Sequence, residues 1–594
     1  MGTVMTTRPE LTGDFGMVAS THWIASAVGM SMLERGGNAF DAAVAAGFTL
    51  QVVEPHLNGP GGEVPMLVRR AGEPDIQVIA GQGPAPASAT AELFRDLGLD
   101  LVPGTGHLAA CVPGAFDAWL TLLDQFGTMS LLDVLEPAIG YARRGYPVLP
   151  ATARTIATVA DLFTDHWPSS AAVYLPNGAV PRPGTRLTNP VLADTYERVA
   201  KTAPGTSRDE GITAALDAFY RGFVAEAIEG FVRTPVMDTS GTPHAGVLTA
   251  DDLAGWHTRI EAPATYDFGR YRLAKTQAWG QGPVLLQQLA LLAGFDLDDT
   301  GPRDPQLVHT VVECAKLAFA DREAFYGDVA DVPIEALLSP AYNDERRRLI
   351  GADASADLRP GEPDGRVPRL ADLDGSGALG AGVGEPTLLV EPAVDSGGAT
   401  RGDTCHIDVV DRFGNMISAT PSGGWLQSSP VIPSLGFGLG TRAQMFFLQP
   451  GLPNSIAPGK RPRTTLSPSL ALRDGEPYLA FGTPGGDQQD QWQLPFFLFH
   501  TVFGLNLQEA IDAATWHTTH FPSSFYPRER VPRQVLVEQR LGSAAIADLR
   551  RRGHDVVEVD GWSLGRLSAV SRSSDGFLRA GANPRGAQGY AVGR

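Results

Sequence analysis

The sequence predicts an α+β fold, and three observations carry that reading. Helical patterns recur in the amino-terminal part, for example over residues 23–53 and 106–148. Alternating β-patterns begin directly after Thr404. Between the two, residues 351–402 shift to a composition of Gly, Pro, Ala and Asp.

Residues 23–53 mix Ala, Leu, Val and Met with few breakers and read as buried helix, interrupted at Gly36-Gly37. Asn38 is placed to cap the second half, with Asp41 in its first turn favouring the helix dipole. Thr249 opens a further helix, with Asp252 at the capping-box distance. In the segment 351–402 the one compact apolar run is Leu388-Leu389-Val390. Such a composition buries too little surface to offset its ordering entropy, so a mobile linker is expected over about 351–403. Strands 407–410 and 416–419 are joined by Asp411-Arg412-Phe413-Gly414-Asn415, a hairpin loop with Gly for a positive φ. Strands 470–472 and 478–481 flank Asp474-Gly475, a second hairpin signal. Residues 543–552 read as helix and 556–559 as strand, with no internal repeat.

Composition narrows the function classes. A length of 594 residues exceeds one typical domain, yet a large sandwich absorbs it as one intertwined unit. Hydrophobic content of 43% with 19% charged residues describes an ordinary globular protein. A formal charge of -19 argues against nucleic acid or a polybasic membrane contact as partner, and acidity this diffuse points to solubility. Cys111, Cys314 and Cys405 are too few and too scattered for a disulfide framework or a zinc site, and read as small buried apolar residues. The amino terminus lacks the apolar core, about 7–15 residues, of a secretory signal. No apolar run of about 18 residues suggests a membrane span. A cytoplasmic location is the expectation.

Gly402-Asp403-Thr404-Cys405-His406 is the most informative stretch. A threonine at the mouth of a strand, just after a Gly/Pro-rich segment, suits an internal cleavage that turns a hidden residue into a new amino terminus. A threonine hydroxyl is a poor nucleophile, and its own freed α-amine is one of the few bases able to activate it. The plain alternative is a surface strand that happens to start with Thr. Were the cut one residue later, Cys405 itself would become the nucleophile.

The residues Thr404, His406, Val409-Val410-Asp411 and Gly414-Asn415 resemble the small-subunit start of the γ-glutamyltransferase family, a branch of the N-terminal-nucleophile hydrolases. The resemblance continues through Lys460-Arg461-Pro462, Thr464-Thr465-Leu466-Ser467-Pro468 and Thr483-Pro484-Gly485-Gly486. Upstream it takes in Gly36 to Ala43, Val112-Pro113-Gly114 and Lys316 to Arg322, so it spans most of the chain. It implies an αββα four-layer sandwich formed by two subunits from one precursor. The cut falls between Asp403 and Thr404, giving a large subunit 1–403 and a small subunit 404–594 that stay together as a heterodimer, with a higher oligomer left open.

The same resemblance assigns roles. Thr404 is the nucleophile, in preference to Cys405, and its amine is general base and then general acid. The acyl-enzyme is resolved by water or by another amine. Gly485 and Gly486 offer backbone N–H groups to the oxyanion, where absence of a Cβ allows close approach. Ser422 matches a family Thr whose hydroxyl contacts the nucleophile's amine. Thr464 and Thr465 stand where a serine pair binds substrate carboxylate; alternatively their hydroxyls hold a turn. No metal or organic cofactor is implied, because the polypeptide supplies nucleophile, base and oxyanion donors. The expected partner is a small-molecule amide substrate.

The pattern breaks at the glutamyl clamp. The family arginine that grips the α-carboxylate falls on Gln82, the aspartate that binds the α-amine falls on Phe446, and a nearby asparagine falls on Gly424. Each lost charge-assisted contact costs about 1.5–3 kcal/mol. Asp487, after the diglycine, is a polar group that could line a rebuilt pocket. The resulting expectation is an autoprocessed amidohydrolase whose acyl group is not γ-glutamyl, but a small carboxylated amide such as oxamate or an acyl amide. A glutathione hydrolase or γ-glutamyltransferase holding its substrate through other residues is the first alternative. An uncleaved, inactive binding or scaffold relative is the second, and the presence of Thr404, Gly485 and Gly486 argues against it.

Overall fold

Two antiparallel seven-stranded sheets form the centre of the computed structural model, which describes residues 5–202, 207–297, 300–372, 404–585 and 588–594. The first sheet runs Tyr590–Gly593, Gly16–Ser20, Ile407–Asp411, Met416–Ala419, Val64–Arg69, Gln77–Gly81 and Arg259–Glu261. The second runs Leu11–Gly13, Leu578–Ala582, Ser568–Arg572, Glu476–Gly482, Ser469–Arg473, Tyr271–Lys275 and Ala264–Phe268. Each sheet therefore interleaves strands from before and after Thr404.

Strand alternation sorts the side chains between layers. Met17, Val410 and Met416 of the first sheet share one buried cluster with Leu470, Ala480, Val570 and Ala580 of the second, so these two faces meet. The opposite face of the first sheet, carrying Val18, Val409 and Ile417, packs on the helices Trp23–Glu34, Ala39–Val53 and Ala115–Phe126. Leu479, Phe481 and Ala569 of the second pack on Pro283–Leu292, Pro305–Phe325 and Gln489–Thr501. The order is helix, sheet, sheet, helix.

The helical run 23–53 is two helices broken at Gly36, whose φ of 94° stops the first. Asn38 caps the second, its side chain accepting from Phe40 and Asp41 while Asp41 accepts from the Asn38 N–H at 2.8 Å. Residues 106–148 hold the helices Ala115–Phe126 and Leu131–Arg144. The Thr249–Asp252 capping box forms, but its helix spans only Ala250–Ala254. Ile407 pairs with Ala419 and Val410 with Met416, across a loop in which Gly414 takes φ 91°. At the second hairpin Asp474 and Gly475 both have positive φ, 53° and 85°, as a two-residue primed turn requires. The helix Ser543–Arg551 and the strand Asp555–Val559 also form.

Of the expected linker, residues 351–372 are bonded to the body. Gly361 N–H donates to Asp321 at 2.7 Å, Ala354 N–H to the Arg552 carbonyl at 2.7 Å, and Lys316 to the Ser355 carbonyl at 2.9 Å. Its remainder, including Leu388-Leu389-Val390 and Asp403, lies outside the described residues. All three cysteines are free and buried. No helix among the described residues is long and apolar enough to cross a membrane.

Candidate active site

Thr404 stands at the entry to the strand Ile407–Asp411, between two neighbours in the first sheet, and is fully buried. Its backbone pairs with Ser422, and Ser422 pairs in turn with Glu63. The Thr404 and Ser422 hydroxyl oxygens lie 3.1 Å apart. Arg442 donates to the Ser422 hydroxyl from Nη2 at 2.6 Å and pairs through Nε with the Glu63 carboxylate. Burial pushes the Glu63 carboxyl up, and Arg442 pulls it back.

The next residue but one fixes the second sheet against this end of the first. His406 Nδ1 meets the Thr420 hydroxyl at 2.9 Å, and Nε2 meets Asp408 at 2.9 Å. Asp408 also accepts from Ser568 of the opposite sheet at 2.9 Å. The imidazole lies so close to Gly482 that a Cβ there would fall 2.2 Å from the ring. Strand Glu476–Gly482 therefore reaches the ring beside Thr404 and continues directly into Thr483-Pro484-Gly485-Gly486.

The diglycine turns sharply, with φ of 125° at Gly485 and 53° at Gly486. A Cβ on Gly485 would meet the Trp492 ring at 2.2 Å, so shape and backbone conformation both demand glycine. The peptide planes are held through their carbonyls: Gln488 N–H donates to Gly485 at 2.9 Å, and the Gln281 amide to Gly486 at 3.2 Å. Gln281 is itself fixed by Arg322 at 2.8 Å.

Asp487 is buried and pairs with Arg322, accepting also from the Ser524 N–H at 2.8 Å and hydroxyl at 2.7 Å. Burial works against the charge, but Arg322 and Ser524 hold this carboxyl below its ordinary range. Its acceptors are thus engaged by the protein, and the pair braces the diglycine. Thr464 joins its backbone to Trp279 and Gln281, both at 2.9 Å, and its hydroxyl accepts from the Leu466 N–H at 3.3 Å. The Thr465 hydroxyl is buried with no hydrogen-bond partner among the described residues.

Gln82 follows the strand that pairs with Val64–Arg69, so it lies at the same end of the sheet as Glu63. It lines a cavity of about 320 Å³ together with Trp256, His257 and Arg461. Its Nε2 donates to the Gly83 carbonyl at 3.0 Å, and its Oε1 has no partner among the described residues. Gly424, at φ 63°, passes so close to the Gly59–Gly62 backbone that a Cβ on Gly59 would lie 2.3 Å from its carbonyl oxygen. Phe446 is packed in an apolar cluster with Phe94, Leu108 and Cys111, and Arg528 caps its carbonyl at 2.9 Å. The neighbouring Cys405 thiol donates to Glu54 at 3.1 Å, and burial pushes it well up, which suits a packing role.

The family profile described as Gamma-glutamyltranspeptidase matches residues 25–593. The chain belongs to that family. It is 31% identical to the glutathione hydrolase proenzyme of Bacillus subtilis (strain 168) over 536 residues, 88% of this chain and 84% of that one. It is also 31% identical to the oxamate amidohydrolase proenzyme of Klebsiella pneumoniae subsp. pneumoniae over 585 residues, 96% and 97% of the two chains. The solved structure of LmbA2991HD is 55% identical over 100% of both chains, with a TM-score of 0.94. The cephalosporin acylase of Bacillus halodurans is 28% identical over 99% and 97%, with a TM-score of 0.81. This gamma-glutamyltranspeptidase-family chain is a hydrolase, and the names of its relatives divide among several acyl groups.

Sequence reasoning missed four residues at this family site: Glu63, Gln281, Arg322 and Arg442. Arg322 ends a motif already noted, and Arg442 lies four residues before Phe446, but neither spacing discloses a contact made across the fold. Replacing Ser422 by Ala removes a hydroxyl that meets both Thr404 and Arg442. Leaving a buried donor unsatisfied costs about 1–3 kcal/mol, so Ser422→Ala is expected to slow chain cleavage and turnover by about 10- to 100-fold. Ser422→Thr keeps the hydroxyl and should retain most of both, measured by gel time course and initial rate.

Proposed function

We propose that the chain is an autoprocessing N-terminal-threonine amidohydrolase acting on a small amide whose acyl group is not γ-glutamyl. In maturation the Thr404 hydroxyl attacks the Asp403 carbonyl, the peptide becomes an ester, and water hydrolyses it to give subunits 1–403 and 404–594. In turnover the same oxygen attacks the substrate amide, the Thr404 amine takes its proton and returns it to the leaving amine, and water releases the acyl group. Gly485 and Gly486 supply the oxyanion donors.

One contrast carries this reading. The nucleophile end pairs Thr404 with Ser422 at 3.1 Å, whereas the family's glutamyl-clamp positions carry the uncharged Gln82 and a Phe446 packed among apolar side chains. The oxamate amidohydrolase and cephalosporin acylase relatives supply candidate chemistries: a small carboxylated amide or an acyl amide. Turnover of a γ-glutamyl anilide is to be compared with oxamate and short acyl amides, and ready γ-glutamyl turnover overturns the proposal.

The pH profile provides a separate check. The base must be neutral, so rate rises with pH through the amine's pKa, for which a free α-amine gives about 7.7–8.0. A kcat/KM limb rising through that window is expected, and a flat profile across it argues against the amine as base.

A further inference from the structure

Arg442 is fully buried beside the proposed nucleophile, and its guanidinium is only partly used. Nε pairs with Glu63 and Nη2 donates to Ser422 at 2.6 Å, while Nη1 has no hydrogen-bond partner among the described residues. The group lies against two aromatic rings, with Cζ 5.0 Å from the Trp425 centroid and 5.6 Å from that of Phe525. A buried guanidinium N–H without an acceptor is costly, and the two bonds on the other nitrogens prevent it from turning away. Ser422 Oγ bridges the two groups, 2.6 Å from Arg442 Nη2 and 3.1 Å from Thr404 Oγ1.

We propose that Arg442 is the substrate-carboxylate anchor of the cleaved enzyme, its Nη1 donating to a carboxylate bonded directly to the scissile carbonyl. This rests on the amidohydrolase reading above and narrows its substrate class to short oxalyl amides, of which oxamate is the simplest. The short path from Arg442 to Thr404 suits such a group. A γ-glutamyl chain carries its carboxylate three carbons further from the reacting carbon and does not match it. Glu63 holds the guanidinium in place, so one arginine both orients Ser422 and reads the substrate. Gln82 and Phe446 then need carry no charge.

The test compares Arg442→Gln and Arg442→Lys with the wild type, each first checked for cleavage on a gel. For cleaved enzyme, KM for oxamate should rise by about 10- to 100-fold in Arg442→Gln, the effect of losing one charge-assisted bond. kcat should fall alike for oxamate and for acetamide, because Ser422 loses its donor, whereas KM for acetamide, which lacks the carboxylate, should stay within about twofold. Lysine keeps the charge but not the fork, and should fall between. Equal KM changes on both substrates, or no KM change on oxamate, overturn the proposal.

Oxalate binding followed by calorimetry needs no turnover and separates the two readings. If neither oxamate nor short acyl amides are hydrolysed but oxalate binds wild type and is lost in Arg442→Gln, the amidohydrolase reading falls and the anchor stands. Oxalate bound equally by both, or by neither, means that Nη1 serves only an ordered water and overturns the anchor. Should Arg442→Gln remain uncleaved, the same comparison is made with Arg442→Lys.

Discussion

A Thr404→Ala chain is expected to remain one polypeptide of 594 residues and to lose at least about 10⁴-fold in amide turnover, the scale seen when a nucleophile is removed from a working constellation. The same oxygen is assigned to both events, so they should vanish together. Thr404 is fully buried, so nothing in its placement invites a general protease to cut there instead. The wild type should separate into 1–403 and 404–594 on a denaturing gel, with the smaller piece beginning at Thr404 by intact mass. Thr404→Ser keeps a hydroxyl and an amine and should still cleave, more slowly. A wild-type enzyme that turns over substrate as an unbroken chain would remove the catalyst from the proposal, because the base does not exist before the cut.

Gly485→Ala is expected to lower kcat by about 10²- to 10³-fold, the cost of displacing an oxyanion donor. At φ 125° an L-residue is strained, and its methyl would also meet Trp492 at 2.2 Å. The turn must then open, and its N–H moves away from the reacting carbon. KM should change far less than kcat, because the donor acts on charge that develops only in the transition state. The double variant Gly485→Ala with Trp492→Leu relieves the clash but not the φ. If that pair recovers full kcat, the Trp492 clash and not the φ displaced the donor, whereas a Gly485→Ala enzyme with unchanged kcat has no oxyanion donor in this loop. Gly486, at φ 53°, is in a region an alanine reaches for about 1–2 kcal/mol, so Gly486→Ala should be milder.

Several pieces of this fold were legible because their causes are local. Asn38 with Asp41, Thr249 with Asp252, and Asp474-Gly475 each act through backbone groups within a few residues, and all formed where the sequence put them. The strands preceding Thr404 were not legible. Gly16–Ser20 and Val64–Arg69 are buried on both faces, so they lack the alternation of apolar and polar residues that marks a half-exposed strand. The expected linker shows a related limit: composition alone does not reveal that Gly361 would find Asp321, or Ala354 the Arg552 carbonyl.

The site divides along the same line. Thr404, Ser422 and the diglycine were legible as motif positions, and Gln82 and Phe446 as departures from the pattern. By itself the sequence determined the family, the candidate nucleophile, the local turns and caps, and the uncharged residues at the positions proposed for a glutamyl clamp, since each depends on residue identity at short range. The tertiary structure alone decided that Ser422 lies between Thr404 and Arg442, that Glu63 orients that arginine, and that Arg322 braces Gly486 through Gln281. Those contacts join residues far apart in the chain, and only the interleaving of strands from both sides of Thr404 brings them within hydrogen-bonding distance.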